Sequence, residues 1–80
     1  MMPVIDRDGP FRVLFYANDN EPPHVHIVVK GGNRGCKIWL NGADLSRNDH
    51  LTIQEVKKSI DMVKENRDKY LEAWHGFFSD

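Results

Sequence analysis

The sequence predicts an α+β fold: an antiparallel sheet of three or four strands in the first half of the chain, covered on one face by one long C-terminal helix. Three observations predict it. Apolar runs rich in strand formers alternate with turn clusters up to residue 41. A capping box opens at Thr52, and from Ile53 onward apolar residues recur at steps of three and four. The 80 residues form a single domain, with residues 1–41 as sheet, 42–52 as a polar connection and 53–78 as helix.

In chain order, Pro3-Val4-Ile5 is a short extended segment, and Asp6-Arg7-Asp8-Gly9-Pro10 is a turn by composition. Residues 11–16, Phe-Arg-Val-Leu-Phe-Tyr, are strand formers. Asn18 to Pro23 is a loop, because two prolines remove two backbone donors. Residues 25–29 and 36–40 form a hairpin around Gly31-Gly32-Asn33-Arg34-Gly35. Placing Lys30 opposite Gly35 sets His26 opposite Trp39 and Val28 opposite Lys37. One face then carries Val25, Ile27, Val29, Cys36, Ile38 and Leu40, and the other carries His24, His26, Val28, Lys30, Lys37 and Trp39. A one-residue slip would mix the two sets. Phe11, Val13 and Phe15 join the apolar face, leaving Arg12, Leu14 and Tyr16 beside the histidines. Asn41-Gly42 closes the hairpin.

At the helix start, the Thr52 hydroxyl can accept from the Glu55 amide while Glu55 reaches back to the Thr52 amide, with Leu51 and Val56 as a staple. Ile53, Val56, Ile60, Val63, Arg67, Tyr70, Trp74 and Phe77 form one stripe, and Gly76 is the expected stop. About 23 helical residues, up to the stop at Gly76, span about 35 Å, whereas strands of six or seven residues span about 20–23 Å. The aromatic C-terminal end must therefore do one of three things: fold back through a bend near Glu65-Asn66-Arg67, cover the N-terminal strand, or meet another chain.

Composition narrows the function classes. A chain this short buries only about 60–65% of its unfolded surface, so its stability margin is thin. With 40% apolar and 29% charged residues it is globular. It has no run of about 18 apolar residues to span a membrane and no secretory signal, so a cytoplasmic setting is expected. Cys36 is the only cysteine, which excludes an internal disulfide and C-x-x-C metal motifs. It falls on the apolar face, as a core residue more than a nucleophile. The net charge of −1 draws no nucleic acid globally, but Lys30, Arg34 and Lys37 are the only formal charges from His24 to Leu40. Any basic patch is thus local to the sheet.

The chemistry-bearing residues concentrate in Asn18-Asp19-x-Glu21-Pro22-Pro23-His24-Val25-His26. His-x-His on a strand puts both imidazoles on one face, with Cα atoms about 6.5–7 Å apart. Three uses compete, against the plain alternative of two histidines packing beside Trp39 and Tyr16. His24 and His26 can share a metal with Asp19, Glu21 or His50 as a third ligand. They can act as base and acid on a phosphodiester held by Arg12 and Lys37, with Tyr16 or Trp39 stacking a base. Or the face serves as a binding surface without turnover, since Trp, Tyr and Arg are enriched in hot spots. Arg67 interrupts the helical stripe, where it can pair with Asp19 or Glu21 or snorkel.

The Asn18-Asp19 pair and the Glu21-Pro22-Pro23-His24-Val25-His26 segment, with Glu65-Asn66-Arg67-Asp68 and Leu71-Glu72-Ala73-Trp74 on the helix, resemble bacterial domain-of-unknown-function family 4160 over nearly the whole chain. The family motif falls on Asn18, Asp19, Pro22, Pro23, His24 and His26, and Trp74 matches its helix-end tryptophan. The resemblance carries no catalytic role. It implies a neighbour, because genes of this family often lie beside a small protein of family 2442, a pairing suggested to be a toxin–antitoxin module.

The expected function is therefore a small interaction domain, the toxin-like member of such a module, with Tyr16, Asn18, Asp19, His24, His26, Trp39 and Trp74 as binding residues. Its partner would be the co-encoded protein, or a second copy meeting it through the helix end. The alternatives are an RNA-binding protein or ribonuclease using His24, His26, Arg12 and Lys37, and a metal-binding protein through His24 and His26. No other cofactor and no membrane is expected, and enzymatic activity is left open.

Overall fold

The computed structural model describes residues 4–16, 21–31 and 33–78. Five strands lie in chain order across one antiparallel sheet: β1 (Val4–Asp8), β2 (Phe11–Leu14), β3 (His24–Val29), β4 (Gly35–Trp39) and β5 (Asp44–Asp49). The helix α1 (Ile53–Phe78) follows. The class is α+β as expected, but the strand count is corrected. β5 occupies most of the stretch expected to be a polar connection. Its Asp-Leu-Ser-Arg-Asn-Asp composition is poor in strand formers, and it persists as an edge because β4 supplies a backbone template. β1 also runs on through Asp6, Arg7 and Asp8, so the turn shrinks to Gly9-Pro10, with Gly9 at φ +58°.

The facing of β2, β3 and β4 follows the predicted phase. Phe11, Val13, Phe15, Val25, Ile27, Val29, Cys36, Ile38 and Leu40 are all buried in one core with Met62, Val63, Tyr70 and Trp74 of the helix. The hairpin register is displaced by two residues: His24 pairs with Trp39, His26 with Lys37 and Val28 with Gly35. The Val29 amide donates to Arg34 O at 2.9 Å, closing the turn one residue earlier on each strand. A shift of two preserves side-chain parity, which is why the faces survive it.

The helix begins as its capping box dictates. The Thr52 amide donates to Glu55 Oε1 at 2.9 Å, and the Glu55 amide donates to Thr52 Oγ1 at 3.1 Å. The Thr52 amide hydrogen bond, with the Arg34 guanidinium assisting, holds the Glu55 carboxyl below its usual range. The same Arg34–Glu55 ion pair ties the β3–β4 turn to the helix start.

The apolar stripe is rotated at its N-terminal end. Ser59, Met62 and Val63 face the sheet, whereas Ile53 is 85% exposed. Ser59 is small and sends its hydroxyl back to Glu55 O at 2.9 Å, so the helix can settle against Cys36.

A straight helix of 26 residues would measure about 39 Å, longer than the 36 Å maximum extent of the molecule. The chain resolves this with a kink. Asn66 leaves helical geometry at φ −119°, ψ 19°, and its side-chain amide donates to Met62 O at 2.9 Å. Past the kink, the helix runs through Gly76 to Phe78 and does not stop at the glycine. Tyr70 and Trp74 are buried, and the Tyr70 hydroxyl donates to Asp6 Oδ2 on β1 at 2.6 Å. Bending and covering the first strand are thus combined. Arg67 donates to Asn41 O at 2.7 Å, and of the two carboxylates proposed for it Glu21 pairs with Lys37 while Asp19 lies outside the described residues. No helix among the described residues is long and apolar enough to cross a membrane.

The Tyr70 hydrogen bond is the main force lowering the Asp6 pKa below 3.8, and burial followed by Asp6 raises that of Tyr70 above 10.0. A depressed carboxyl contributes stability above its unfolded value and loses it as pH falls through the folded one. A raised phenol contributes below its unfolded value and loses it as pH rises. The contact is therefore at full strength between about pH 4 and 10. Tyr70→Phe should cost about 1–2 kcal/mol in urea unfolding at pH 7. The difference from wild type should narrow on acidification below pH 4. An equal loss at pH 2 and pH 7 would contradict the assignment.

Candidate functional site

Three rows of side chains cross the face of the sheet opposite the helix. Arg7, Arg12, Val28, Gly35 and Asp49 form the first, by successive pairing from β1 to β5. Leu14, His26, Lys37 and Arg47 form the second, and His24, Trp39 and Asp44 the third, with Tyr16 just beyond the end of β2. The predicted grouping of Arg12, Tyr16, His24, His26, Lys37 and Trp39 on one face is thus present in the strand register. Asn18 and Asp19, the other two predicted binding residues, lie outside the described residues.

The aromatic members form a continuous cluster. The Tyr16 ring lies 4.0 Å from that of His26, and His26 lies 5.1 Å from His24, edge to face. His24 touches Trp39 at 5.5 Å and also reaches Trp74 of the helix at 5.0 Å. Trp74 continues to Phe15 at 5.2 Å and Phe78 at 4.1 Å. His24 is therefore a keystone between the sheet end and the helix end. It is fully buried, and its Nδ1–H donates to Pro22 O at 2.8 Å. Because a carbonyl oxygen can only accept, Nδ1 is the nitrogen that carries hydrogen in this contact. His26 keeps 8% of its surface exposed and Trp74 keeps 6%, so neither presents a broad face to solvent.

The two cations proposed beside the histidines have separate surroundings. Lys37 forms an ion pair with Glu21 and lies 4.7 Å above the Trp39 ring, a cation–π contact that fixes the indole. Arg12 lines a different cleft, with Arg7 and Lys30 at the β1–β2 turn. His26 and Tyr16 instead line a cleft of about 300 Å³ with Arg34, Arg47, Asp49 and His50. Both arginines there already have carboxylate partners, Glu55 for Arg34 and Asp49 for Arg47 at 3.0 Å.

Arg47 and Asp49 were missed as site residues because β5 was missed, whereas His50 was named only as a possible third metal ligand. No apolar alternation marks β5, since Leu45, Arg47 and Asp49 fall at every second position, and a bulge at Ser46 places Leu45 and Arg47 on opposite faces. Among the described residues, no group of three or more His, Cys, Asp or Glu side chains is placed to hold a metal.

Cys36 is 4% exposed, and burial pushes its thiol up to about 11, which leaves almost no thiolate at neutral pH. In the native protein it should resist iodoacetamide at pH 8 and react only at the rate of unfolding. Labelling as fast as in 6 M guanidinium would show an accessible, activated thiol.

One further surface lies on the opposite side of the molecule. Leu45, Asn48, Ile53, Val56 and Ile60, with Lys57, Asp61 and Lys64 also in the lining, form a mainly apolar trough of about 440 Å³ between the β5 edge and the first half of α1. Leu45 is 40% exposed there.

A family model described as Domain of unknown function (DUF4160) matches residues 11–75, which include all the described rings of the aromatic cluster except Phe77 and Phe78. No curated protein and no solved structure matches the chain.

Proposed function

The chain belongs to the DUF4160 family, and on that premise we propose that it is a small protein-interaction domain, the toxin-like member of a two-protein module. The observation that carries this reading is the trough beside β5. Ile53 opens the helix with 85% of its surface in solvent, and Leu45, Val56 and Ile60 extend the same apolar strip along an edge strand that, among the described residues, has no neighbouring strand on its outer side. An extended segment added to β5 would meet both needs at once. Its backbone would pair with the strand edge, and its alternate side chains would cover the trough.

The fitting occupant is a strand from a different protein, apolar at every second position. A second copy of β5 is a poor match, because its helix-side residues are Leu45 and Asn48. The Asn48 side chain is already bonded to the Leu51 amide and carbonyl, at 2.9 and 3.1 Å. At the aromatic helix end Tyr70 and Trp74 are committed to the core, which leaves Phe77, 42% exposed, as the apolar surface there. The resemblance to a family often encoded beside family 2442 makes the adjacent gene product the partner to test.

Co-expression with that product, followed by calorimetric titration, is the decisive measurement. Ile53→Glu or Leu45→Glu should weaken association at least tenfold, about 1.4 kcal/mol, with unchanged circular dichroism. Equal affinity for wild type and Ile53→Glu would remove the trough as the interface. Expression of the chain alone should slow growth, and co-expression should relieve it. Harmless expression alone would end the toxin-like part of the reading.

A further inference from the structure

Charge is sorted by strand parity on β1. Asp6 and Asp8 point to the helix side, where Tyr70 and Lys69 hold Asp6 and Lys58 holds Asp8 at 3.0 Å. Arg7, between them, points the other way and stands directly opposite Arg12 on β2. Like charges facing each other across a strand pair are destabilising, and among the described residues no carboxylate pairs with either. Lys30 makes a third cation at the same corner, because its amide donates to Pro10 O at 2.9 Å and so fixes it beside the β1–β2 turn.

Arg7, Arg12 and Lys30 together line a shallow cleft of about 270 Å³, completed by Gly9 and Pro10. Among the described residues none of the three has an ion-pair partner, as is also true of Lys57, Lys64 and Arg67, but only here do three such cations line one cleft. Three cations that converge without a counter-charge, in a chain of net charge −1, form a local field that an anion would neutralise.

We propose that this corner is a phosphate-binding site, and that the phosphate it takes belongs to the backbone of a single-stranded nucleic acid. Two guanidinium forks and an ammonium match the oxygens of a phosphodiester through charge-assisted hydrogen bonds. The same sheet face continues to the half-buried rings of Tyr16 and Trp39. Arg12 and Tyr16 are four residues apart, about 13 Å along an extended chain, a distance a strand of two or three nucleotides covers. A cationic groove leading to aromatic platforms is the usual arrangement for sequence-tolerant single-strand binding. This site is independent of the trough, which lies on the helix side of the sheet, so either can fail without the other.

The test is fluorescence anisotropy with a labelled ten-nucleotide single-stranded RNA across a salt series. Three phosphate contacts give a slope of log K against log salt of about −2. The double variant Arg7→Ala/Arg12→Ala should weaken binding at least tenfold and reduce the slope by about 1.4. Lys64→Ala, which removes one cation from the helix side, should bind like wild type. Because the pair repels itself, Arg12→Gln should melt at or slightly above the wild-type temperature, which separates lost binding from lost folding.

Inorganic phosphate alone should perturb the Arg7 and Arg12 side-chain resonances only at tens of millimolar. Saturation by inorganic phosphate below a millimolar, with RNA binding no tighter, would assign the corner to a small phosphate compound and overturn the nucleic-acid proposal. No RNA binding at 50 mM salt, or binding indifferent to the double variant, would overturn it outright.

Discussion

A single alternation phase, held through the three central strands, is the constraint from which the rest of the molecule follows. It sends Val13, Ile27 and Ile38 beneath the helix with no exposed surface and sends Arg12, His26 and Lys37 to the opposite face. Because the period is two, every error of register must be even if the core is to survive. The β3–β4 hairpin illustrates this: its turn closes elsewhere than its glycines suggest, and every side chain still lands on the expected side. The same parity separates the acids of β1 from its arginine. Core formation and the electrostatics of the open face are thus two results of one backbone property.

The helix is fitted to this sheet by two local devices, one at each end. At the start, the Thr52–Glu55 box is locked onto the β3–β4 turn through Arg34, which sets the rotation of the first turns. That rotation turns Ser59 inward and leaves Ile53 outside, so an apolar residue remains in water as a consequence of how the cap is anchored. In the middle, Asn66 breaks helical geometry and lets the aromatic half follow the sheet. Neither device involves large buried area. Both act by directing where the area is buried, which in a domain of this size decides whether a hydrophobic residue becomes core or interface.

Much of this was legible in the residues. The capping box, the inward set of the central strands, the bend near Asn66 and the burial of Cys36 all rest on local rules that tertiary context did not override. β5 was not legible, because Asp44, Ser46, Asn48 and Asp49 carry turn-like composition and only the exposed edge of β4 makes them extended. Strand parity groups Arg12, His24, His26, Lys37 and Trp39 on one face, as the alternation of residues predicts, but it does not report what surrounds each of them. His24 has the chemistry of a catalytic or metal-binding group, yet its ring is enclosed between Trp39 and Trp74. Burial of that kind depends on where the far end of the helix arrives, fifty residues later in the chain, and no motif reports it. The free cations at Arg7 and Arg12 were hidden for a related reason: their convergence needs β1 to extend through a stretch that reads as a turn.

The Tyr70–Asp6 contact joins residues 64 positions apart, so it has a consequence for the order of events during synthesis. Domains consolidate as the chain leaves the ribosome, and here the first strand emerges long before the residue that fastens it. Until Lys58, Lys69 and Tyr70 are released, β1 is held by its pairing with β2 and lacks these side-chain ties to the helix. The nascent sheet therefore keeps an unsecured margin until the helix itself has been made.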